Sequence, residues 1–184
     1  MITSDSDDEH LSRRLKRGDD AAWTTFFDRY GPRIWSYVAK LTGADRHTVA
    51  DLVQDVFTAA AQGLRNFDPA RGTLLSWLLG IAHRHAALYW RRQNLAPPDS
   101  GLNLDLFEGP TDPDHLLVAE TSVAVRRMLA TLPEDMATIL IARYLDDRSM
   151  ADLAVEFGCT VDAVRSRLLR ARDRFRELFE TVRT

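Results

Sequence analysis

The chain has 184 residues, enough for one domain or two small ones. It is 45% apolar and 28% charged, with a formal charge of −3, which fits a soluble globular protein and excludes a disordered or fibrous one. One cysteine, Cys159, excludes an internal disulfide and suits a reducing cytosol. No apolar run approaches the roughly 18 residues of a membrane span.

The opening "MITSDSDDEH" is acidic and polar, unlike a secretory signal. Residues 1–18 are expected to be a disordered N-terminal tail. Spacings of three and four then dominate, with almost no alternation, so the fold class is all-α. Asp19 and Asp20 can cap a helix bearing Trp23, Phe26, Phe27 and Tyr30. Pro32 is expected to perturb or restart it, and Ile34, Tyr37, Val38 and Leu41 continue the stripe to Gly43. Thr48-x-x-Asp51 reads as a capping box before Val49, Leu52, Val53, Val56, Phe57, Ala60 and Leu64. "NFDPARGT" is a loop by its Asp-Pro and Gly. Thr73 can cap a third helix, "LLSWLLGIAHRHAALYWRRQ".

Between Gln93 and Val125 there is no Lys or Arg, but there are six acids and four prolines. Residues 94–112 read as an acidic flexible linker between two small helical domains, 19–93 and 113–184. A helix from about Pro113 stops at Leu132-Pro133, and the next carries Glu134 and Asp135 in its first turn. Ser149-x-x-Asp152 is a second capping box, opening a short helix with Leu153, Ala154 and Phe157. "GCT" is a tight turn, Cys159 being a small residue within it, and Thr160 can cap the last helix.

That last helix concentrates charge: six arginines and one aspartate lie between Arg165 and Arg176. A short helix, a Gly-containing turn and a second helix make a helix-turn-helix. Val161, Val164, Leu168, Ala171 and Phe175 fall on one stripe and are expected to be buried. Arg165, Ser166, Arg170 and Arg172 then lie on other faces, with Arg167 flanking the stripe. Arginine forks there can grip guanine edges or phosphates. A solvated basic helix making ion pairs with Glu156 or Asp173 is the plainer alternative. The third helix interleaves His83, Arg84, His85, Tyr89, Trp90, Arg91 and Arg92, as single-strand binding requires. Trp77 reads as core, and the plainer reading of this helix puts Leu78, Ile81 and Leu88 in the core with it; Tyr89 and Trp90 read equally as core closure or as stacking platforms.

The segments "DLVQDVF", "FDPARGT..SWL" and "VRSRLLRAR", in this order around an acidic linker, resemble the extracytoplasmic-function sigma factors of bacterial RNA polymerase. The resemblance covers about residues 20–93 (sigma region 2) and 115–180 (region 4). It implies that the "DLVQDVF" helix docks on the clamp helices of the polymerase's largest subunit, through Asp51, Gln54, Asp55 and Thr58. It implies that the loop Asn66–Thr73 captures an unstacked base of the −10 element. Asn66, Asp68 and Arg71 would make polar contacts there, with Phe67 propping the loop from beneath. His83, Arg84, Tyr89, Arg91 and Arg92 would follow the −10 DNA. Arg165, Ser166, Arg167, Leu169, Arg170 and Arg172 would read the −35 element, with Arg148 on a phosphate. The flap of the second-largest subunit and an anti-sigma factor are further implied partners. No cofactor, metal or catalytic residue is implied, and the setting is cytoplasmic. One departure stands in "HAALYWRR", where Ala87 occupies a position at which the family often has an acid.

Two other classes fit parts of the pattern. A stand-alone helix-turn-helix regulator would use the N-terminal unit to sense or dimerise, and would bind duplex DNA by itself. A metal-dependent phosphohydrolase could use His83, His85, Asp51 and Asp55. However, histidines two apart on a helix point about 200° apart and do not easily share a metal.

Overall fold

A computed structural model describes residues 4–95 and 113–182; residues 96–112, most of the sequence-predicted acidic linker, lie outside them. The described residues form eight α-helices and no strand. They are α1 (Ser4–Lys16), α2 (Asp20–Thr42), α3 (Arg46–Gly63), α4 (Leu74–Leu95), α5 (Pro113–Thr131), α6 (Glu134–Tyr144), α7 (Met150–Glu156) and α8 (Val161–Val182). Two 3₁₀ turns, Leu64–Asn66 and Pro69–Arg71, join α3 to α4.

Helices α2, α3 and α4 pack together around Phe26, Ile34, Tyr37, Val38, Leu41, Val49, Val56, Leu74, Leu78 and Leu79, all essentially sealed from water. The stripe of α2 explains its unbroken length. Buried residues continue on one face from Ala22 to Leu41 across Pro32, so packing holds both halves to one axis. Pro32 and Asp28, whose carbonyl loses its helical partner, both sit on the exposed side, where water can satisfy that oxygen. The expected break at Pro32 therefore does not occur.

Three local expectations need correction. The tail does not fray over Ser4–Lys16: it is helical, and Leu11, Leu15 and Ser12 are buried against the first bundle. Its low hydrophobicity hid this, because only two apolar side chains do the packing. Helix α3 also begins earlier than the predicted capping box. Asp45 caps it, accepting from the His47 and Thr48 backbone N–H groups at 2.8 and 3.0 Å and from the Thr48 hydroxyl at 2.7 Å. A charged acceptor at the helix N-terminus is favoured over a hydroxyl three residues on. Leu88, read as core, is 40% exposed.

The remaining caps follow the sequence. Asp19 accepts from Ala22 N–H, and Thr73 Oγ1 accepts from Ser76 N–H at 3.1 Å. Ser149 and Asp152 satisfy each other's backbone N–H groups in a complete capping box. Thr160 accepts from Ala163 N–H at 3.2 Å. Gly158, at φ 59°, makes the left-handed turn between α7 and α8 that a side chain would strain. On α8, Val164, Leu168 and Ala171 are buried and Val161 and Phe175 half-buried, as the stripe predicts.

Leu153 is the fully buried anchor of α7 within the helix-turn-helix. Leu153→Ala removes its methyl groups and leaves a cavity, so stability should fall by about 2–5 kcal/mol. Denaturant melts followed by circular dichroism check this; a loss under about 1 kcal/mol would place Leu153 outside the core.

Candidate promoter and polymerase interface

Helix α3 shows two chemically distinct sides. Val49, Val53, Val56 and Ala60 are buried. Asp51, Gln54, Asp55 and Thr58 are exposed together on the other side, where the Thr58 hydroxyl donates to the Gln54 carbonyl. Beside this face lies an apolar groove lined by Phe27, Gly31, Pro32, Trp35 and Val53. Phe27 is 50% exposed and rests on Phe57, ring centroids 4.8 Å apart.

The loop from Asn66 to Thr73 is tightly held. Phe67 is buried beneath it against Trp77, centroids 5.4 Å apart, the propping role expected. Asp68 accepts from Ala70 N–H and so caps the Pro69–Arg71 turn. Gly72, at φ 152°, lets the chain reverse into α4; a Cβ there would meet Ser76 Oγ at 2.9 Å. Asn66, Asp68 and Arg71 are all exposed on this frame.

Along α4, Arg84, Arg91 and Arg92 are exposed and Tyr89 is half-buried. Trp90 is buried, with its indole N–H donating to the Leu41 carbonyl at 3.1 Å, so it closes the core and offers no stacking face. His83 also departs from expectation. It is 6% exposed, with Nε2–H donating to the Leu132 carbonyl at 3.0 Å and Nδ1 accepting from the Tyr37 hydroxyl at 3.3 Å. Tyr37 in turn meets the Thr138 hydroxyl at 3.1 Å. A histidine enclosed in this way cannot reach DNA in this arrangement. Burial lowers its pKa, and the Leu132 bond only partly opposes that.

On α8, Arg165, Ser166, Leu169, Arg170 and Arg172 are exposed, Leu169 to 60%, and Arg167 is half-buried. Arg165 is paired with Asp162 at 2.7 Å on the same helix face. Such exposed pairs are worth little, so a phosphate or guanine can displace the carboxylate. Arg148, at the foot of α7, is paired with Glu156 at 3.3 Å.

What spacing alone could not show is how the two units meet. Arg33 and Lys40 of α2 both bond Asp146, and Arg33 also bonds Glu156 at 2.9 Å. The Asp146 and Glu156 side chains are 8% and 5% exposed. Burial pushes the Asp146 carboxyl up, but the hydrogen bonds from Lys40 and Arg33 outweigh this and hold it below the usual carboxylate range. Together with Tyr37, His83 and Thr138, these residues give the seam between the units a polar centre. No local pattern marked Arg33, Lys40 or Asp146, and Glu156, expected as a partner of the last helix, turns instead to Arg33 and Arg148; the pairs across the seam are each more than a hundred residues apart in sequence.

Among the described residues no group of three His, Cys, Asp or Glu side chains could hold a metal ion, and no helix is long and apolar enough to cross a membrane. Exposed arginines on a capped, Gly-turned second helix define a DNA-reading helix-turn-helix protein. Comparison with known proteins gives the class more closely. The sigma-70 region 2 model matches residues 26–95, and the sigma-70 region 4 model matches residues 122–175. The RNA polymerase sigma-H factor of Pseudomonas aeruginosa is 30% identical over 94% of this chain and 93% of its own. The ECF RNA polymerase sigma-E factor of Escherichia coli K12 is 31% identical over 90% of this chain and 91% of its own. The structure of CnrH in complex with the cytosolic domain of CnrY is similar in fold, at 23% identity and a TM-score of 0.50, covering 95% of this chain and 97% of that one. The chain belongs to the sigma-70 family, within its extracytoplasmic-function group. It is an alternative sigma factor, a transcription-initiation protein that gives RNA polymerase its promoter. The stand-alone regulator reading is set aside, since the N-terminal unit is itself a sigma region 2.

The seam carries a pH prediction. His83 keeps its neutral form more readily when enclosed than when exposed, so opening the seam gains a proton. Closure is therefore fully favoured above the ordinary histidine pKa of 6.5 and weakens as pH falls below it. Arg84 faces the same site and also disfavours His83⁺. Glu134, raised by burial, acts in the opposite sense at lower pH, so the useful window is about pH 7.5 to 6. Small-angle scattering should show the radius of gyration rising across that window from a compact value near about 16 Å. Asp146→Lys should raise it at every pH; an unchanged radius in that variant would mean that the charged pairs do not hold the units together.

Proposed function

We infer that this chain binds core RNA polymerase through the exposed acidic face of α3, Asp51, Gln54, Asp55 and Thr58, with the Phe27 groove beside it taking apolar contacts. The loop carrying Asn66, Asp68 and Arg71 captures an unstacked −10 base, and Arg84, Tyr89, Arg91 and Arg92 of α4 hold the single strand. Arg165, Ser166, Arg167, Leu169, Arg170 and Arg172 enter the −35 major groove, and Arg148 takes a phosphate. The observation that carries this reading is segregation of charge. Exposed acids gather on one face of α3, while exposed arginines gather on α4 and α8. An acidic face suits a basic polymerase helix pair, and arginine faces suit nucleic acid.

The buried seam adds that the described arrangement is closed. His83 is covered by the second unit, so α4 offers its whole basic face to DNA only when the units part, whereas Arg148 is held by Glu156 of its own unit. CnrH, similar in fold, is seen in complex with the cytosolic domain of CnrY, and a protein partner that holds this chain inactive is part of the same reading. Such a partner would mask the α3 face, the α8 face or both. The setting is the cytoplasm, where the polymerase is.

Two variants separate the roles. Asp51→Arg with Asp55→Arg places two cations opposite a basic partner and should abolish one-to-one co-elution with core polymerase on size exclusion, leaving helicity intact. Retained co-elution would move the docking face elsewhere. Arg167→Ala and Arg170→Ala should leave core binding unchanged and weaken −35 recognition. A base-contacting arginine costs roughly 5- to 150-fold in affinity, and loss of a phosphate contact reduces the salt slope by about one. Loss of core binding in these variants would contradict the assignment. If holoenzyme initiates at no promoter of its own genome, the whole reading fails.

A further inference from the structure

Helix α1 grips both ends of the base-capturing loop. At the entry, the Lys16 ammonium donates to the Phe67 carbonyl at 2.8 Å, 51 residues away in sequence. At the exit, the Asp8 carboxylate accepts from the backbone N–H of Leu74, the first residue of α4, at 3.2 Å. Its other oxygen accepts from the Tyr30 hydroxyl of α2 at 2.6 Å, and Arg29 approaches at 3.5 Å. Asp8 is only 7% exposed, a position in which a carboxylate is retained at a desolvation cost unless every lone pair is used. Here the carboxylate joins three helices at one point and sits at the positive end of α4.

The loop between these two grips carries its own fixed points: the Asp68 cap, buried Phe67 and the Gly72 reversal. Between α1 and the loop runs a cleft lined by Asp8, Glu9, Phe67, Pro69, Gly72 and Thr73. Capture of an unstacked base demands a pocket that exists before the base arrives, because unstacking already costs a few kcal/mol and a loop that must also be ordered adds to it. The loop alone has few apolar contacts to order it. Helix α1 supplies the missing constraint from outside.

We propose that Asp8 and Lys16 are positioning residues for −10 base capture, holding the Asn66–Thr73 loop in its receiving shape, so that α1 is part of the promoter-melting apparatus. This rests on the reading of that loop as the base-capturing element. The prediction separates positioning from mere support of the fold. A structural role lowers activity on all templates alike, whereas a positioning role erases discrimination at one base.

The test uses holoenzyme assembled with the full chain and a promoter selected from its own genome by run-off transcription. Each nontemplate −10 position is made abasic in turn. With the wild-type chain, one position should lose at least about tenfold in open-complex formation. Asp8→Asn and Lys16→Met should lower open-complex formation on the intact promoter while losing little more at that abasic position, so the tenfold ratio collapses towards about one. Discrimination at the other −10 positions and in the −35 element should persist. Core binding of the two variants should match the wild type, and so should the unfolding of Lys16→Met, since Lys16 is exposed; Asp8→Asn keeps one acceptor and loses the other, so its ratio is read well below its own measured unfolding temperature. If the variants keep the full tenfold ratio and are uniformly weaker, α1 is only a support and the proposal is overturned. If no −10 position is sensitive with the wild-type chain, the base-capture reading itself fails, and that result is distinct from the first.

Discussion

The fold leans on the buried stripe of α2. Phe26, Tyr30, Ile34, Tyr37, Val38 and Leu41 lie along one side of a single helix, and α3 and α4 pack against that stripe. At roughly 25 cal/mol per Å² of apolar surface, a buried side chain of this size contributes about 1.5–3 kcal/mol, so the stripe is a major source of order in the first unit. It also fixes geometry. Because α3 must turn Val49, Val53 and Val56 towards it, the helical repeat leaves Asp51, Gln54, Asp55 and Thr58 facing outwards. The exposed acidic face of α3 is thus a by-product of core packing. The same argument holds for α8, where burying Val164, Leu168 and Ala171 turns Arg165, Arg170 and Arg172 to solvent.

How much of this was legible follows from whether a feature is local. Amphipathic stripes, the Ser149–Asp152 box, the Thr160 cap and the Gly158 turn all depend on residues a few positions apart, and spacing reveals them, whereas the prop under the loop at Phe67 followed from the family resemblance. Helix α1 was hidden because its contribution is polar and long-range. Asp8 meets Leu74 and Lys16 meets Phe67, and neither contact has a periodicity. His83 was misplaced for a related reason. Within α4 it stands beside arginines and reads as basic, yet its ring turns towards a partner unit that begins beyond the linker. One compositional signal was present but uninterpretable alone. The chain has 22 arginines and only two lysines, and both lysines make contacts between distant elements.

The character of the seam bears on how the molecule works. The seam is partly apolar, since one hydrophobic core runs through residues of both units. Here the centre holds Tyr37, His83, Thr138 and a chain of alternating charges running Lys40, Asp146, Arg33, Glu156, Arg148. Buried ion pairs repay their desolvation only when every group is satisfied, and the buried Arg33 Nε has no partner. The polar part of the seam therefore contributes specific geometry more than net stability.

Its wiring also passes through one carboxylate that both units share. Glu156 bonds Arg33 from the first unit and Arg148 from the second, and the Thr73 hydroxyl donates to the Glu156 carbonyl at 3.3 Å. The end of α7 thus touches both the Asn66–Thr73 loop of one unit and Arg148 of the other. When the units part, Glu156 loses Arg33 and Thr73 and keeps Arg148. Its carboxylate is then no longer shared between two guanidinium groups, so its hold on Arg148 strengthens. Closure loosens that pair and parting tightens it, so the state of the seam is felt at the foot of the helix-turn-helix.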